Sequence, residues 1–226
     1  MVELHGVSEV YTQASRGRVE ALVEVSFEVK PGETVVLAGP SGAGKTTALR
    51  LVTGEVRPTR GRVVVLDEEV GKLGRRGLAR LRRKLGVVPQ GRRLLGDRTA
   101  FGNLALVLRA LGQPRGEVRA QALEALDEVG LATRRNALPG ELGQADRLRL
   151  CLARALCSEP RLLVLDEPVA GLDDGALGGL VELLRRRGEQ GMTILLATQA
   201  TGLARRLAAR ALALDQGRLR PEGGVH

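Results

Sequence analysis

The chain carries a glycine-rich loop with the sequence Gly39-Pro40-Ser41-Gly42-Ala43-Gly44-Lys45-Thr46-Thr47. An apolar run, Val35–Ala38, leads directly into the loop and predicts a buried strand. After the loop, residues 45–53 predict a helix that Gly54 ends. A strand before the loop and a helix after it are the context that the motif Gly-x-x-x-x-Gly-Lys-Thr requires for phosphate binding.

Phosphate binding is expected from the backbone of this loop as well as from its side chains. The glycines let the chain wrap closely, so that successive N–H groups point at phosphate oxygens. The N-terminus of the following helix adds partial positive charge. Lys45 supplies a full charge to the β- and γ-phosphates, and the Thr46 hydroxyl can ligate Mg²⁺. We therefore predict that residues 39–47 bind ATP.

A second apolar strand, Leu162–Leu165, ends in two acidic residues. Asp166 can hold Mg²⁺ through water, and Glu167 can orient and deprotonate an attacking water molecule. Taken alone, this pattern occurs as often at an ordinary strand end as at a nucleotide-binding site. Downstream of a phosphate-binding loop, it predicts the acidic half of an ATPase site.

Other segments alternate between strand and helix patterns. The further predicted strands are Arg62–Leu66, Leu85–Gln90, Thr193–Ala197 and Ala211–Leu214. The pattern is helical from residue 94 to residue 156. Such alternation implies an α/β fold with a mostly parallel sheet and helices on its faces. We expect a helical lobe inserted at about residues 91–158.

Length and composition favour one cytoplasmic domain. The 226 residues suit a single α/β domain over residues 1–226, and 43% apolar residues can form a core. No apolar run approaches the ~18 residues that a membrane helix needs. The first residues, Met1–His5, include an acid and do not resemble a signal peptide. We therefore expect no membrane insertion.

The net charge is +9, much of it from clustered arginines. Such a charge attracts polyanions, either nucleic acid or an anionic membrane face. The same clusters are also typical of solvated helix faces. Because Tyr11, Phe27 and Phe101 are the only aromatic residues, the chain lacks a stacking platform for single strands, and nucleic acid is not the partner we expect.

The chain has two cysteines, Cys151 and Cys157, six residues apart in a helical pattern. This spacing places them on different helix faces. We expect both to be reduced, buried small residues rather than a disulfide or a metal-binding pair.

Several motifs follow the phosphate-binding loop in a fixed order: Gln90, Leu152-Ala-Arg-Ala155, Leu165-Asp-Glu-Pro168 and Gly171-Leu-Asp173. This order resembles the ATPase subunit of ABC transporters over nearly the whole chain. Within that superfamily the chain is most similar to the cell-division ATPase FtsE, in the segments Leu94-Leu95, Asp97–Asn103, Leu138–Leu142 and Gly171–Asp174. Lipoprotein-export and macrolide-export ATPases share parts of these segments. The resemblance implies a P-loop NTPase fold of ABC type, with an N-terminal antiparallel β lobe.

The resemblance also implies roles for single residues. Tyr11 sits where the family stacks a ring on adenine, although it could equally be a half-buried strand tyrosine. Gln90 sits where the family senses Mg²⁺ and the attacking water, although it could be an ordinary loop glutamine. Asp173 lies in a loop that the family places across a dimer interface. In that family two copies pack head to tail around ATP.

Two positions depart from the family pattern. The signature, Leu-Ser-Gly-Gly-Gln, corresponds here to residues 142–146, so Gly143, Gln144 and Ala145 are the predicted contacts to the facing subunit. An alternative alignment places Gly143-Gln144 opposite the Gly-Gln of the signature, but this alignment needs a two-residue insertion. The histidine that the family carries after the strand ending at Ala197 is replaced by Gln199. Gln199 can donate a hydrogen bond to the γ-phosphate but cannot carry charge, so binding should survive better than turnover.

The resemblance implies an FtsE-like ATPase that dimerises on ATP. Its partner would be the integral membrane protein FtsX, at the inner face of the membrane, where the pair controls cell-wall hydrolases. We keep three alternatives. They are the ATPase of a lipoprotein or small-substrate exporter, a weakly hydrolysing regulatory module, and a nucleic-acid-acting ATPase suggested by charge alone.

Overall fold

The computed structural model describes residues 1–13, 17–200 and 202–220. The described strands are β1 (Val2–Gln13), β2 (Gly17–Val29), β3 (Thr34–Ala38), β4 (Arg60–Val65), β5 (Glu68–Glu69), β6 (Leu85–Val88), β7 (Leu162–Asp166), β8 (Thr193–Thr198), β9 (Arg210–Asp215) and β10 (Arg218–Leu219). The described α-helices are α1 (Lys45–Val52), α2 (Arg75–Arg82), α3 (Ala100–Ala110), α4 (Arg115–Glu128), α5 (Gln144–Leu156), α6 (Asp174–Glu189) and α7 (Leu203–Arg206).

The described strands form a core sheet and a smaller antiparallel sheet. The core sheet has six strands in the order β10-β9-β3-β8-β7-β6, and all neighbours from β9 to β6 are parallel. The second sheet has four antiparallel strands in the order β2-β1-β4-β5. The predicted α/β fold, with a mostly parallel core sheet and an N-terminal antiparallel β lobe, is confirmed.

The core sheet is buried on both faces, which explains its continuous apolar strands. Leu163 and Leu165 of β7 face an apolar cluster that includes α3 to α6. Leu162 and Val164 face the opposite cluster, which includes α1 and the antiparallel sheet. Both β7 and β8 are buried along their whole length. This packing on both faces of the core sheet fixes the ends of the parallel strands, where the candidate site described below lies.

The antiparallel lobe is larger than the sequence predicted. Strands β1 and β2 pair along most of their length, with register shifts between Leu4 and Val10. The predicted strand Arg62–Leu66 corresponds to β4, which pairs antiparallel with β1 rather than joining the parallel sheet. Its alternating residues Val63 and Val65 are fully buried, as expected for a sheet with one face in the core.

Helices α3, α4 and α5 occupy the stretch between β6 and β7, as the helical pattern predicted. Asn103 fixes the start of this stretch, because it is fully buried and its amide bonds to the chain before α3. Its Oδ1 accepts from Leu95 N at 2.9 Å, and its Nδ2 donates to Leu95 O at 3.1 Å and Thr99 O at 3.0 Å. Thr99 caps α3 by accepting from Gly102 N at 3.0 Å.

Some of the clustered arginines have structural partners and are not simply solvated. Arg82 donates to Thr53 O at 3.1 Å and Gly54 O at 2.7 Å, which satisfies carbonyls at the end of α1. Arg186 and Arg187 of α6 both pair with Glu128 of α4. These contacts give part of the basic charge a structural role within the chain itself.

The cysteines are free thiols in different surroundings. Cys151 is buried within α5, as predicted. Cys157 lies just after the end of α5 and is partly buried, so the expectation that both cysteines are buried is confirmed for Cys151 and is wrong for Cys157. Burial raises the pKa of the Cys157 thiol from 9.0 to about 11, against a lowering effect of Arg154. Burial also raises the pKa of Cys151.

We expect Cys157 of the folded chain to react with iodoacetamide about a hundred times more slowly at neutral pH than Cys157 of the unfolded chain. A rise in pKa from 9.0 to about 11 lowers the thiolate fraction by that factor. The rate should increase as the pH approaches 11. Peptide-mapping mass spectrometry measures both rates, with the urea-unfolded chain as control. Equal rates in the two states would contradict this assignment.

Candidate nucleotide-binding site

The candidate site lies at one edge of the core sheet, because the parallel strands β3, β8 and β7 all end there. Ala38 at the end of β3 pairs with Thr198, and Asp166 at the end of β7 pairs with Ala197. The segments that follow these strands therefore meet. They are the phosphate-binding loop, the acidic pair and the segment that begins with Gln199.

The loop between β3 and α1 has the backbone that its sequence predicted. Gly39 N donates to Thr198 O at 3.3 Å, which ties the start of the loop to β8. Gly44 has φ +100°, a conformation that favours glycine, and α1 begins at the next residue. A Cβ added to Gly42 would meet nothing within 4 Å, so the loop opens there toward free space. The first turn of α1 contains no acidic residue that would offset its positive end.

Lys45 is buried, with 5% of its surface exposed. Its Nζ donates to Gly39 O at 2.8 Å and to Pro40 O at 2.9 Å, both within its own loop. The same Nζ lies 3.4 Å from Glu167 Oε1. A buried ammonium held mainly by neutral carbonyls retains much of its attraction for a further anion, which is the role expected of Lys45.

Thr46 and Asp166 are brought together across the loop. Thr46 Oγ1 donates to Asp166 Oδ1 at 3.1 Å. The pKa of the Asp166 carboxyl is raised above its usual value, chiefly because the group is buried. The neighbouring Glu167 raises this pKa further, whereas the Thr46 hydrogen bond and the Lys45 charge lower it. A cation bound here would stabilise the charged carboxylate, and a hydroxyl beside a carboxylate supplies the oxygen ligands that Mg²⁺ prefers. These residues therefore fit the predicted metal.

Glu167 is held in a strained position next to Lys45. Its φ is +47°, which is uncommon for a residue with a side chain. Its Oε2 accepts from Gln199 N at 3.1 Å. Its Oε1 is buried, accepts no hydrogen bond from the residues that the structure describes, and lies 3.4 Å from Lys45 Nζ. A buried carboxylate oxygen with unused accepting capacity is the feature that a general base for water requires.

Gln90 and Gln199 both lie beside this carboxylate. The exposed Gln90 follows β6 and lines a cleft of about 410 Å³ together with Asp166 and Glu167. Gln199 follows β8, and its backbone N–H rather than its side chain contacts Glu167. Both residues occur at the predicted edge of the sheet, and their roles toward the γ-phosphate remain predictions.

Tyr11 lies near the end of β1, paired with Val19 of β2. Its hydroxyl is buried and has no hydrogen-bond partner among the described residues. This placement on the antiparallel sheet fits the half-buried strand tyrosine that the sequence left open. Its proposed stacking on adenine remains a prediction.

The residues predicted to face a second subunit cluster around the starts of α5 and α6. Helix α5 begins at Gln144 with Gly143 as its N-cap, so no side chain caps it. The Gln144 side chain donates within its own chain, to Ala170 O at 3.1 Å. Ala145 lines a cavity of about 190 Å³ between α5 and α6. Asp173 caps α6 by accepting from Ala176 N at 2.7 Å.

Sequence reasoning missed Arg92 at this site. Arg92 lines the same cleft as Asp166 and Glu167 and contacts the loop after Glu167. In the sequence it is one of many arginines, and no motif distinguishes it. Only the fold brings it to the catalytic edge of the sheet.

A phosphate-binding loop after β3 that faces an acidic pair at the end of β7, a parallel strand separated from β3 by β8, defines the chain as a P-loop nucleotide-binding protein. A family model described as "ABC transporter" matches residues 22–170. The chain therefore belongs to the ABC transporter family.

Relatives and solved structures agree with this family. The chain is 38% identical to "Methionine import ATP-binding protein MetN" of Rhodopseudomonas palustris (strain BisB5), over 98% of this chain and 60% of the relative. It is 37% identical to "Methionine import ATP-binding protein MetN 1" of Bacillus anthracis, over 100% of this chain and 65% of the relative. It thus spans about three fifths to two thirds of their length.

A dimeric post-hydrolysis state of the ATP-binding cassette MJ0796 bound to ADP and Pi matches with a TM-score of 0.90 and 30% identity, covering 100% of this chain and 99% of that one. The fold alone is shared with cbiO1 from Clostridium perfringens, with a TM-score of 0.85 and 24% identity over 97% of this chain and 86% of that one. In the part of the chain that the structure describes, no helix has the length and apolar character needed to span a membrane.

Proposed function

We propose that this chain is the ATP-binding and ATP-hydrolysing subunit of a small-substrate ABC transporter. The observation that carries the proposal is the buried Lys45 placed between its loop carbonyls and Glu167, with the Thr46–Asp166 pair beside it. This arrangement offers positive charge, a metal site and a candidate base within one edge of the sheet. Two relatives carry the printed name of methionine importers, so an amino-acid-sized substrate is the one we infer.

In this proposal the chain's residues divide the work on the nucleotide. The amides of residues 39–47 and the Lys45 ammonium bind the phosphates, and Tyr11 stacks on adenine. Thr46, Asp166 and Gln90 would hold Mg²⁺, which neutralises charge on the phosphate oxygens when bound. Glu167 orients and deprotonates water, while Gln199 donates to the γ-phosphate.

The proposed assembly is a head-to-tail dimer on ATP, docked on an integral membrane partner. The similar cassette MJ0796 is described as dimeric, which supports such pairing. In the dimer, Gly143, Gln144, Ala145 and Asp173 would face the nucleotide of the other copy. We take residues 1–226 as one ATP-binding domain, with a helical lobe at about 91–158, bound peripherally at the inner membrane face.

The cell-division role with an FtsX-like partner is not supported by the relatives described above, which are importers. Its support is the similarity in the segments Leu94-Leu95, Asp97–Asn103, Leu138–Leu142 and Gly171–Asp174. In the second of these, Asn103 and Thr99 stabilise the start of α3. A segment with a structural role can persist in ATPases of different function. The small-substrate transporter is therefore the better-supported function.

A regulatory module that binds ATP but turns over slowly is a second candidate. It is favoured by the departures at Gly143 and Gln199. Gly143 caps α5 without a side chain, so it lacks the hydroxyl of the family's serine. Gln199 cannot supply the charge of a histidine. Both losses affect charge that peaks in the transition state, so turnover should suffer more than affinity.

We expect Lys45→Ala to weaken Mg-ATP binding by roughly ten- to a hundredfold, since a charge-assisted contact contributes about 1.5–3 kcal/mol. Calorimetry measures the affinity, and circular dichroism checks that the variant is folded. Lys45→Met keeps the apolar part of the side chain and should weaken Mg-ATP binding to the same extent as Lys45→Ala. The control is Lys30→Ala, because the Lys30 side chain is exposed and its ammonium pairs with the exposed Glu28. Unchanged affinity in both Lys45 variants would refute the site.

We expect slow basal ATP hydrolysis, which Gln199→His increases and Glu167→Gln abolishes. The histidine would restore a charged donor near the γ-phosphate, worth up to a hundredfold or so in rate. Steady-state phosphate release at saturating Mg-ATP measures all three proteins. Gln190→His, at the exposed end of α6, is the matched control. Fast wild-type turnover that Gln199→His does not change would mean that Gln199 is already a competent switch residue.

We expect the chain to reach membranes through an integral protein rather than through its basic surface. Tagged chain purified from detergent-solubilised membranes should retain an integral protein in fixed ratio. Protein-free anionic vesicles should bind it weakly and with steep salt dependence. Vesicle binding as tight as membrane binding would remove the need for a partner. Tight duplex DNA binding at physiological salt would favour the nucleic-acid-acting alternative.

A further inference from the structure

Arg92 lies in the loop after β6 and contacts two other segments of the chain. Its Nη1 donates to Gln144 O, at the start of α5, at 3.2 Å. Its Nη2 donates to Pro168 O at 3.3 Å and to Ala170 O at 2.8 Å. One guanidinium therefore links three segments that are distant in sequence, namely the Gln90 loop, α5 and the loop after Glu167.

The acceptors of the Arg92 guanidinium within the described part of the chain are all backbone carbonyls. Among the described residues, no carboxylate forms an ion pair with it. Burial lowers the pKa of Arg92, and the residue has φ +47°. A partly buried cation with a strained backbone persists only where the surroundings compensate for it. Here three backbone carbonyls compensate for the charge, and their arrangement suits the planar guanidinium group of arginine.

Gln144 strengthens the same junction. Its Nε2 donates to Ala170 O at 3.1 Å, the carbonyl that also accepts from Arg92. Gly171 leaves room for this amide, because a Cβ at Gly171 would overlap Gln144 Nε2. The three residues fit one another, and every contact except that of Arg92 with Gln144 O ends on the segment 168–171.

That segment directly follows Glu167. The Glu167 side chain is held by Gln199 N and by the ion pair with Lys45. Its backbone N–H donates to Ala197 O at 2.9 Å, and its carbonyl accepts from Ala170 N at 3.3 Å. The position of Glu167 therefore depends on β8 and on the segment that follows it. Leu172 and the α6 cap Asp173 come next. Whatever fixes residues 168–171 therefore fixes both the candidate base and the start of α6.

We propose that Arg92 is a positioning residue that, together with Gln144, clamps the start of α5 to residues 168–171 and so holds Glu167 in place for ATP hydrolysis. We name this set of contacts the Arg92 clamp. The inference rests on the proposed ATPase function. None of the hydrogen bonds of Arg92 described here involves residues 39–47, so loss of Arg92 should lower turnover and leave nucleotide affinity unchanged.

The first test compares Arg92→Ala with Arg93→Ala, which removes an exposed neighbouring arginine. We expect Arg92→Ala to lower kcat by roughly ten- to a hundredfold, the scale of a small misplacement of a reacting group, with KM for ATP unchanged. Arg93→Ala should change neither constant. Guanidinium ion at millimolar concentration should partly restore kcat of Arg92→Ala, whereas urea, which is uncharged, should not.

The second test uses Gly171→Ala, which expels the Gln144 amide from Ala170 O by overlap. Gly191→Ala is the control for backbone strain, because Gly191 has φ +88°, close to the +69° of Gly171, and free space around an added Cβ. We expect Gly171→Ala to lower kcat and Gly191→Ala to leave it unchanged. Gln144→Ala should also lower kcat. Its effect should not add to that of Gly171→Ala, because both variants remove the same hydrogen bond, from Gln144 Nε2 to Ala170 O.

The outcomes separate this inference from the function on which it rests. Wild-type hydrolysis that depends on Glu167, with equal kcat in Arg92→Ala and Arg93→Ala, would overturn the Arg92 clamp alone. Additive losses in Gln144→Ala and Gly171→Ala would overturn it as well. Wild-type chain that binds ATP and shows no hydrolysis sensitive to Glu167→Gln would overturn both the Arg92 clamp and the proposed ATPase activity.

Discussion

The burial of the Lys45 charge is the constraint on which the site depends. An ammonium with 5% exposure must be compensated, and here Gly39 O, Pro40 O and Glu167 compensate it. These contacts curl the loop around the lysine and bring the end of β7 against it. Because Glu167 also accepts from Gln199 N after β8, one buried charge links the ends of three parallel strands. The arrangement is stable only while the sheet keeps its strand order.

The helical stretch between β6 and β7 is attached to this edge by polar contacts as well as by its apolar core. Asn103 fixes the start of α3 through backbone carbonyls, and Arg92 binds carbonyls at α5 and after Glu167. Both contacts reach backbone carbonyls that lie in a loop or at the start of a helix. The hydrogen bonds of Arg92 therefore connect the start of α5 with residues 168–171, which follow the candidate base directly.

The sequence predicted most elements that are continuous apolar runs, and it predicted the residues of the phosphate loop and the acidic pair. These features are local, since β3, α1 and β7 follow from short patterns with clear ends. Strands β1 and β2 were not delimited, because register shifts between Leu4 and Val10 interrupt the alternation. Helix α6 contains Gly175, Gly178 and Gly179, which weaken a helical pattern. Arg92 could not be distinguished, because its role comes from long-range contacts.

The departures at Gly143 and Gln199 differ in kind from the features that are present. The loop, Lys45 and the Thr46–Asp166 pair form one site within a single chain, and together they would bind a nucleotide in its ground state. Gly143 caps α5 without a side chain, and Gln199 contacts Glu167 through its backbone. A backbone contact survives any change of side chain, so the replacement of histidine leaves the support of Glu167 intact while removing a charge. In the proposed function, affinity and turnover would therefore depend on separate residues of this chain.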